Sequence, residues 1–317
     1  MSAASPPAPG YQVRPATEAD AGAVVGLMGA VDSAEGNDPV WTREWLLNDW
    51  RRPRFEMPRD TRVVVAPDGG LAAYVEVYDS VPRAEVESVG RVHPEHRDRG
   101  IGAFLLEWAE NRASERAQRH DVELYVDSSG ADTSAAALLR SRGFEVVRHF
   151  WHMEIVLRQS GAPREVDGVS IDGFAPGHDE RPLYELMTEA FKGHWGYPEE
   201  SFAEWRRSKL EREDYDPGLW WVARDGRRVV GTLIGNIAQD DVRAWVSELA
   251  VAGDYRGKGI GMALLEHAFA GFESRGMHRV RLNVDSENVT GATRLYERVG
   301  MSTVARFDIY LKTLSTN

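Results

Sequence analysis

The chain has 317 residues, of which 42% are apolar and 28% charged, and its formal net charge at neutral pH is −12. This length predicts about two domains with cores of their own, and no apolar run approaches the roughly 18 residues of a membrane span. The absence of cysteine excludes disulfides, thiolate metal sites and a cysteine nucleophile, and the negative charge argues against nucleic acid as a general partner.

The first residues predict a tail. Residues 1–10, MSAASPPAPG, lack a basic segment followed by an apolar one, so we predict a disordered tail and not a signal peptide. A cytoplasmic location is the resulting expectation, with no membrane partner and no metal. The sequence does not distinguish a monomer from a homodimer.

The first half predicts an ordered series of strands and helices. A short strand at YQVRPA precedes a helix over about 18–31, for which Thr17 and Asp20 form a capping box, and a second helix over about 42–52. A hairpin then turns at 68–70, and the extended run AEVESVGRV enters a glycine-rich loop. A long helix, a strand, a short helix and a final strand complete this half.

The second half repeats the same order. Two helices near 179–191 and 199–212 precede a hairpin that turns at Asp225-Gly226, and the run VRAWVSELAV again enters a glycine-rich loop. The two loops read EHRDRGIG at 95–102 and DYRGKGIG at 254–261. One chain therefore contains nearly the same loop twice.

The repeat keeps a constant spacing. The loop arginines Arg97 and Arg256 lie 159 positions apart, and Gly143 and Gly300, after the last short helix of each half, lie 157 apart. A spacing that two separate motifs share predicts a duplicated domain. The predicted parts are an N-terminal domain, a polar linker and a C-terminal domain, over residues 11–157, 158–168 and 169–317.

The loop at 254–261 suits a phosphate. The first N–H groups of a helix have no internal partner and the helix dipole is positive there, while Arg256 and Lys258 add positive charge. A Walker loop requires Ser or Thr where Gly259 follows Lys258, and a dinucleotide fingerprint requires glycine where Met262 stands. A loop in which the glycines only turn the chain stays an open alternative.

The pattern Arg-x-x-Gly-x-Gly, which follows a strand ending in Val, occurs at Arg256 and again at Arg97. It resembles the acetyl-CoA loop of the GCN5-related N-acetyltransferases (GNAT), and LNVDSENVTGATRLYERVGM at 282–301 is similar to the family's strand, Asn-containing loop and final helix. The resemblance covers essentially the whole chain as two copies, nearest to the mycothiol synthase type. It implies an α/β fold of two tandem domains, each a mixed, mostly antiparallel twisted sheet flanked by helices, and acetyl-CoA as cofactor.

The resemblance also implies how the cofactor is held. The strand before the second loop would part from its neighbour after residue 251, and its N–H groups would bind pantetheine and polarise the thioester carbonyl. The residues implied are Leu249, Ala250, Val251, Arg256, Gly257, Lys258, Gly259, Ile260, Gly261 and Asn288, with Arg97, Gly100 and Gly102 in the first copy. Asn288 would also be the N-cap of its helix.

Direct transfer to an amine requires a base, because an ammonium with a pKa near 10 has no lone pair for attack. Glu248, on the strand that enters the loop, is the candidate, and Asp285 is a second candidate base. The alternative role of Glu248 is that of a solvent-facing strand residue in a cross-strand ion pair. Tyr296 stands where this family keeps the tyrosine that gives a proton to the departing CoA thiolate. Its alternative role is that of a core aromatic.

The first copy lacks both proton-exchanging residues. The loop spacing aligns Glu248 with Val89, and the second spacing aligns Tyr296 with Leu139. We therefore predict that the C-terminal copy is catalytic, while the first copy binds CoA or only supports the fold. A different base in the first copy stays open, and the residues considered for it are Glu87, His93 and His96.

The acceptor is predicted to be the primary amine of a small molecule. His194, Trp195 and Tyr197 lie in a Gly/Pro-rich loop that suits a pocket for a compact acceptor, although core packing explains the aromatics equally well. Acetylation of a cysteinyl pseudo-disaccharide, as in the mycothiol synthase type, stays open, but that type's strand glutamate aligns near Trp245. A non-enzymatic acyl-CoA-binding module and a dinucleotide oxidoreductase are alternatives of other classes.

Overall fold

The computed structural model describes residues 9–39, 41–52, 54–79, 85–116, 121–159, 161–197, 200–212, 215–237, 243–288 and 291–315. Residues 1–8 of the predicted tail lie outside this described part. The chain forms two compact units: unit 1 is Met1–Phe150 with Ala305–Asn317, and unit 2 is Trp151–Val304. Within the described part of the chain, no helix combines the length and the apolarity that a membrane crossing requires.

The elements of the two halves follow the predicted order. The first half contains β1 (Gln12–Arg14), α1 (Ala21–Ala34), α2 (Arg43–Trp50), α3 (Met57–Asp60), β2 (Thr61–Val65), β3 (Leu71–Asp79), β4 (Glu85–Val92), α4 (Ile101–Arg116), β5 (Val122–Ser129), α5 (Thr133–Ser141) and β6 (Glu145–Val156). The second contains β7 (Ser170–Gly173), α6 (Glu180–Ala190), α7 (Phe202–Leu210), β8 (Trp220–Asp225), β9 (Arg228–Ile237), β10 (Arg243–Val251), α8 (Ile260–Ser274), β11 (Arg279–Asp285), α9 (Ala292–Arg298) and β12 (Ser302–Leu314).

The sheet of unit 1 follows the strand order β1-β2-β3-β4-β5-β12. Its neighbours are antiparallel except β4 and β5, which are parallel. Helices cover both faces, because alternate residues of β3 join different cores: Tyr74 packs with α1 and α2, and Val75 packs with α4. The mixed sheet between helices confirms the predicted α/β class.

Local sequence signals explain how unit 1 begins. The Thr17 amide and hydroxyl both donate to Asp20 at 2.8 Å, so the predicted capping box is confirmed. A short 3-10 turn over Glu18–Asp20 comes first, and α1 therefore starts later than predicted. The hairpin between β2 and β3 turns where the Asp-Gly-Gly sequence predicts it.

The sheet of unit 2 follows the order β6-β11-β10-β9-β8-β7. Strands β10 and β11 are parallel, and the ladders joining β7 to β10 are antiparallel. The core lies under α8, whose residues Ile260, Leu264 and Phe272 are almost fully buried. The result is the same mixed architecture as in unit 1, built from a second set of residues.

The units and the predicted domains divide the chain differently. Residues Ala305–Asn317 belong to unit 1, where β12 pairs with β5 from Phe307 opposite Ser129 to Leu314 opposite Val122. Residues from Trp151 onward belong to unit 2, where the Leu157 amide donates to the carbonyl of His278 at 2.7 Å. The final strands of the two halves, β6 and β12, have similar apolar patterns. The sequence therefore does not indicate which sheet each of them joins.

The predicted linker lies against unit 2. The Arg164 amide donates to Glu266 of α8 at 2.8 Å, and its guanidinium binds the same carboxylate at 2.6 Å. The Gln159 amide donates to Glu273 on the same helix at 2.9 Å. These contacts give the segment a defined course along α8.

Candidate active site

The site of unit 2 begins where β10 leaves β11. The two strands pair only from Arg243 opposite Arg279 to Trp245 opposite Arg281, whereas β10 continues to Val251. A bulge between Val246 and Glu248 shifts the register of β10 against β9. The predicted parting after residue 251 is therefore wrong: the strands part after Trp245, because a bulge bends and twists its strand locally.

The parting leaves backbone groups of β10 facing a gap. The Ala252 amide donates to the Val230 carbonyl of β9 at 2.9 Å. Backbone groups alternate in direction along a strand, so the N–H groups of Leu249 and Val251 point away from β9. Ala250 pairs with Thr232 and directs its backbone groups to β9. Two backbone N–H groups, two residues apart, thus point toward the gap.

The loop that follows presents the start of α8 to the same gap. Gly259 is the N-cap, and its φ of +87° lies in the left-handed region that favours glycine. A Cβ on Gly261 would approach Leu295 of α9 to 3.1 Å, so a glycine here lets the last helix close on the loop. The first amides of the 15-residue α8 are therefore placed where the sequence predicts an anion site.

The basic residues of the loop lie at the surface. Arg256 donates to the carbonyl of Ala190 at 3.3 Å and to that of Val251 at 3.4 Å. The ammonium of Lys258 lies 4.2 Å from the centre of the Tyr255 ring. Neither Arg256 nor Lys258 forms a salt bridge with another residue in the described part of the chain, so both charges are available to an anionic ligand.

Asn288 has a different local role from the predicted one. Helix α9 begins at Ala292 with Gly291 as its N-cap, so the prediction that Asn288 caps this helix is wrong. The Asn288 amide instead donates to the carbonyl of Asp285 at 3.1 Å, which closes a turn directly after β11. That turn separates Asn288 from the helix.

Glu248 lies on β10 immediately after the bulge, and its side chain is 11% exposed. One carboxylate oxygen, Oε1, forms an ion pair with the ammonium of Lys209, in the last turn of α7. The other, Oε2, is buried and has no hydrogen-bond partner among the described residues. The solvent-facing, cross-strand ion pair considered from the sequence is therefore not the one that forms, because Glu248 is mostly buried and its partner comes from helix α7.

Tyr197 and Glu200 belong to the same surroundings as Glu248. Burial raises the pKa of the Tyr197 phenol, and the charges of Glu248 and Glu200 raise it further. Burial also raises the pKa of Glu200, although Lys209 and the Ser208 hydroxyl, which donates to it at 3.2 Å, favour its charged form. Glu200 and Lys209 are site residues that the sequence analysis missed.

His194 lies toward the loop arginine. Burial lowers the pKa of His194, the charge of Arg256 lowers it further, and Asp285 acts in the opposite direction. Its ring packs edge-on against Phe191 with centroids 5.4 Å apart. Trp195 beside it is half-buried. Asp285 accepts from the Glu287 amide at 2.9 Å and thus lies in the turn after β11.

Tyr296 lies on α9, next to the leucine that packs on the loop. It is 8% exposed, and burial raises its pKa to about 12. Its hydroxyl makes no hydrogen bond to any residue of the described ranges. A protonated phenol without an internal partner is suited to donate to a ligand.

Unit 1 has the same backbone frame, which consists of the parting of two parallel strands, the glycine loop and the final helix that packs on the loop. Strands β4 and β5 pair only up to Ser88 opposite Val126, and a Cβ on Gly102 would approach Leu138 to 3.2 Å, as Gly261 approaches Leu295. A cavity of about 300 Å³ lies at this parting. Its lining includes Gly90, Val92, Arg97, Gly100, Gly102 and Leu139.

The loop arginine of unit 1 forms ion pairs, whereas Arg256 forms none with the described residues of unit 2. Arg97 binds Glu35 at 2.8 Å and Asp132 at 3.3 Å. Asp98 takes the place of Gly257 and has a φ of +60°. Carboxylates thus balance the arginine that would meet a diphosphate.

A buried network fills the unit 1 position that corresponds to Glu248. Val89 pairs with Glu76, which is 1% exposed and accepts from Tyr74 at 2.5 Å and from Arg52 at 2.9 Å. Trp50, at the position of Lys209, donates to Tyr74 at 2.7 Å. The polar side chains at this place in unit 1 are therefore engaged with one another.

The other bases considered for unit 1 are engaged. Glu87 accepts from the Tyr78 hydroxyl at 2.7 Å, and His96 shares a 3.0 Å hydrogen bond with Tyr11. His93 accepts from the Glu95 amide at 3.3 Å as the cap of a short 3-10 turn. The described residues of the chain contain no group of three or more His, Asp or Glu side chains that could hold a metal ion.

Comparisons with known proteins agree with this architecture. The model of the acetyltransferase (GNAT) family matches residues 30–144 and 181–301. A mycothiol acetyltransferase of Thermobispora bispora is 31% identical over 303 residues, covering 90% of this chain and 94% of the relative. That of Catenulispora acidiphila is 29% identical over 311 residues, covering 92% and 94%.

Solved structures repeat the tandem arrangement. The crystal structure of a GCN5-related N-acetyltransferase from Sphaerobacter thermophilus has a TM-score of 0.83 and 32% identity, and 98% of each chain is covered. A tandem GNAT protein from the clavulanic acid biosynthesis pathway has a TM-score of 0.77 and 17% identity, covering 97% of this chain and 99% of its own. At that identity the second similarity shows the fold alone.

Proposed function

The chain belongs to the acetyltransferase (GNAT) family and is an acetyl-CoA-dependent N-acetyltransferase, and we propose that unit 2 acetylates the primary amine of a compact small molecule bound beside Glu248. One observation carries the choice of this site. Glu248 lies directly after the bulge where β10 leaves β11, and it already binds a primary ammonium, that of Lys209. A carboxylate in this place is suited to receive an acceptor amine.

The backbone of unit 2 holds the cofactor in this proposal. When bound, acetyl-CoA supplies an acetyl group activated as a thioester. The first amides of α8 bind its diphosphate, with Arg256 and Lys258 adding charge. The N–H groups of Leu249 and Val251 that point away from β9 would hold the pantetheine arm, and one of them would polarise the thioester carbonyl.

Glu248 removes the proton from the acceptor. An alkylammonium with a pKa near 10 is almost entirely protonated at neutral pH, so a base must take its proton before the nitrogen can attack. The partner-free Oε2 of Glu248 accepts it. Tyr296, whose pKa of about 12 keeps it protonated, gives its hydroxyl proton to the thiolate that leaves.

The acceptor side is acidic and aromatic. Glu200 adds a second carboxylate near Glu248, and this favours acceptors that carry a positive charge in solution. His194, Trp195 and Tyr197 form the wall toward the loop. Relatives of this chain are named mycothiol acetyltransferase, so a cysteinyl pseudo-disaccharide amine belongs in any panel of acceptors.

Unit 1 has a second proposed role as a non-catalytic CoA site. The cavity at the parting of β4 and β5 favours it, and the carboxylates around Arg97 favour weak binding. Crystals soaked with acetyl-CoA would show whether the cofactor occupies unit 1, unit 2 or both. Density in unit 2 outside the gap between β10 and β11 would refute the proposed site.

The experiment that tests catalysis is acetyl-CoA turnover with a panel of primary amines. Wild type is compared with Glu248→Gln, Asp285→Asn and Tyr296→Phe. Large losses with Glu248→Gln and Tyr296→Phe, and a small one with Asp285→Asn, support the assignment. Unchanged rates in the first two variants would remove both residues from the mechanism.

A further inference from the structure

Lysine is scarce in this chain. Only four of its 38 basic residues are lysines, at positions 192, 209, 258 and 312, and the remainder are arginines. Arginine forms the stronger and more specific ion pairs, and this chain uses it for most of its salt bridges. A lysine in contact with the proposed catalytic carboxylate therefore departs from the chain's preference for arginine in ion pairs.

The contact places a primary amine where an acceptor amine belongs. The Lys209 ammonium is paired with Glu248 Oε1, and its side chain is only 27% exposed. In the proposed function, an amine bound by this carboxylate is the amine that loses a proton and attacks. An arginine at this position could not do so, because its guanidinium stays protonated.

We propose that Lys209 is a self-acetylation site of this enzyme, with bound acetyl-CoA as the donor. This inference rests on the proposed role of Glu248 as the base. Glu248 takes one proton from the Lys209 ammonium, and the neutral Nζ forms a bond with the acetyl carbon while the carbon–sulfur bond breaks. The departing thiolate receives a proton from Tyr296, which regains one from the attacking nitrogen. The products are N-acetyl-lysine, free CoA and the proton that Glu248 releases to water.

The modification changes the acceptor site. Acetylation removes the positive charge of Lys209 and so ends its ion pair with Glu248. It also removes the positive charge that offsets the negative charges of Glu248 and Glu200. An acceptor amine and Lys209 compete for the same carboxylate, so a bound acceptor protects the lysine.

The chain contains a matched internal control. Lys312 is also 27% exposed and is also paired with a carboxylate, that of Glu110 at 2.7 Å. It lies on β12 in unit 1. Uncatalysed acetylation by the thioester would treat the two lysines alike.

The test incubates the full chain with acetyl-CoA and no acceptor, and follows acetylation of each lysine by peptide mass spectrometry after cleavage at glutamate. We expect Lys209 to react at least about 10²-fold faster than Lys312, the lower end of what a positioned base contributes. Glu248→Gln should remove this excess, and n-butylamine should slow it. Lys209→Arg keeps the ion pair and should leave the other lysines unchanged.

Equal rates at Lys209 and Lys312, or an undiminished excess in Glu248→Gln, would overturn this inference. Amine turnover that depends on Glu248 without acetylation of Lys209 would overturn it while leaving the proposed function intact. Acetylation of Lys209 that depends on Glu248, without turnover of any amine, would support it and refute the small-molecule acceptor.

Discussion

The two units share a backbone frame and differ in the side chains that chemistry needs. Both have parallel strands that part early, a glycine loop, and a final helix whose leucine packs on that loop. A Cβ added to Gly102 or to Gly261 would lie 3.2 or 3.1 Å from that leucine. In unit 1, Val89 and Leu139 stand where unit 2 has Glu248 and Tyr296. The two units thus share the features that backbone and core packing determine and differ in the residues that could exchange protons.

The largest expected effect comes from removing the proposed catalytic base of unit 2, which unit 1 also lacks. Glu248→Gln should lower kcat by roughly 10²- to 10⁴-fold, because the amide cannot accept the acceptor proton. Steady-state turnover with the best amine of the panel measures it. Asp285→Asn is the control, and a comparable loss there would transfer the role of base to Asp285.

Tyr296→Phe should lower kcat by about 10- to 10²-fold, since water can replace part of the proton donation. Stability should hardly change, because the hydroxyl has no hydrogen-bond partner among the described residues. The raised pKa means that Tyr296 stays protonated below about 12, so it should add no basic limb to the pH profile of kcat. Tyr310→Phe, at another buried tyrosine that lies in unit 1, provides the control, and an equal loss in that variant would argue against a specific role for Tyr296.

The aspartates that precede α1 and α6, Asp20 and Asp179, should contribute differently to the free energy of unfolding. Asp179, which is fully buried, accepts from Arg224 at 2.6 Å, so Asp179→Asn should destabilise unit 2 by about 2 kcal/mol. Asp20 accepts from Arg14, which is 45% exposed, so solvent screening reduces the expected cost of Asp20→Asn to about 1 kcal/mol. Peptide-resolved hydrogen exchange on α1 and α6 separates the two effects.

The contribution of Asp20 should also depend on pH. The ion pair with Arg14 lowers the pKa of Asp20 from 3.8 to about 2. A depressed folded-state pKa gives stability that is present above 3.8 and lost as the pH falls toward 2. The stability difference between wild type and Asp20→Asn should therefore shrink over that interval. A difference that stays constant would mean that the ion pair contributes nothing.

The smallest expected effect comes from a reciprocal exchange in the loops. Gly257→Asp should weaken CoA binding to unit 2 by roughly tenfold, because a carboxylate then faces the diphosphate and a non-glycine residue takes a φ of +77°. Asp98→Gly should strengthen binding to unit 1 by a similar factor. Calorimetry resolves the two sites, and parallel shifts of both sites in either variant would show that the loops are not independent.

The sequence predicted the duplication and the structural features that depend on residues close together in the chain. The constant spacing between Arg97 and Arg256 predicted the duplication, and the glycine loops, hairpins and first capping box all lie within a few residues of their own signals. The contact between Lys209 and Glu248 joins positions 39 apart, and nothing in either local pattern indicates it. The early parting of β10 depends on a bulge, which is a property of register against β9 and not of composition.

The course of β12 has a consequence for how the protein is made. A ribosome synthesises residues 305–314 only after all of unit 2, so β5 lacks its antiparallel neighbour while the whole second unit is being translated. Unit 1, although it starts first, finishes last, and its open strand edge must be kept from pairing with other chains in the meantime. A fragment cut at residue 157 would keep that edge open permanently.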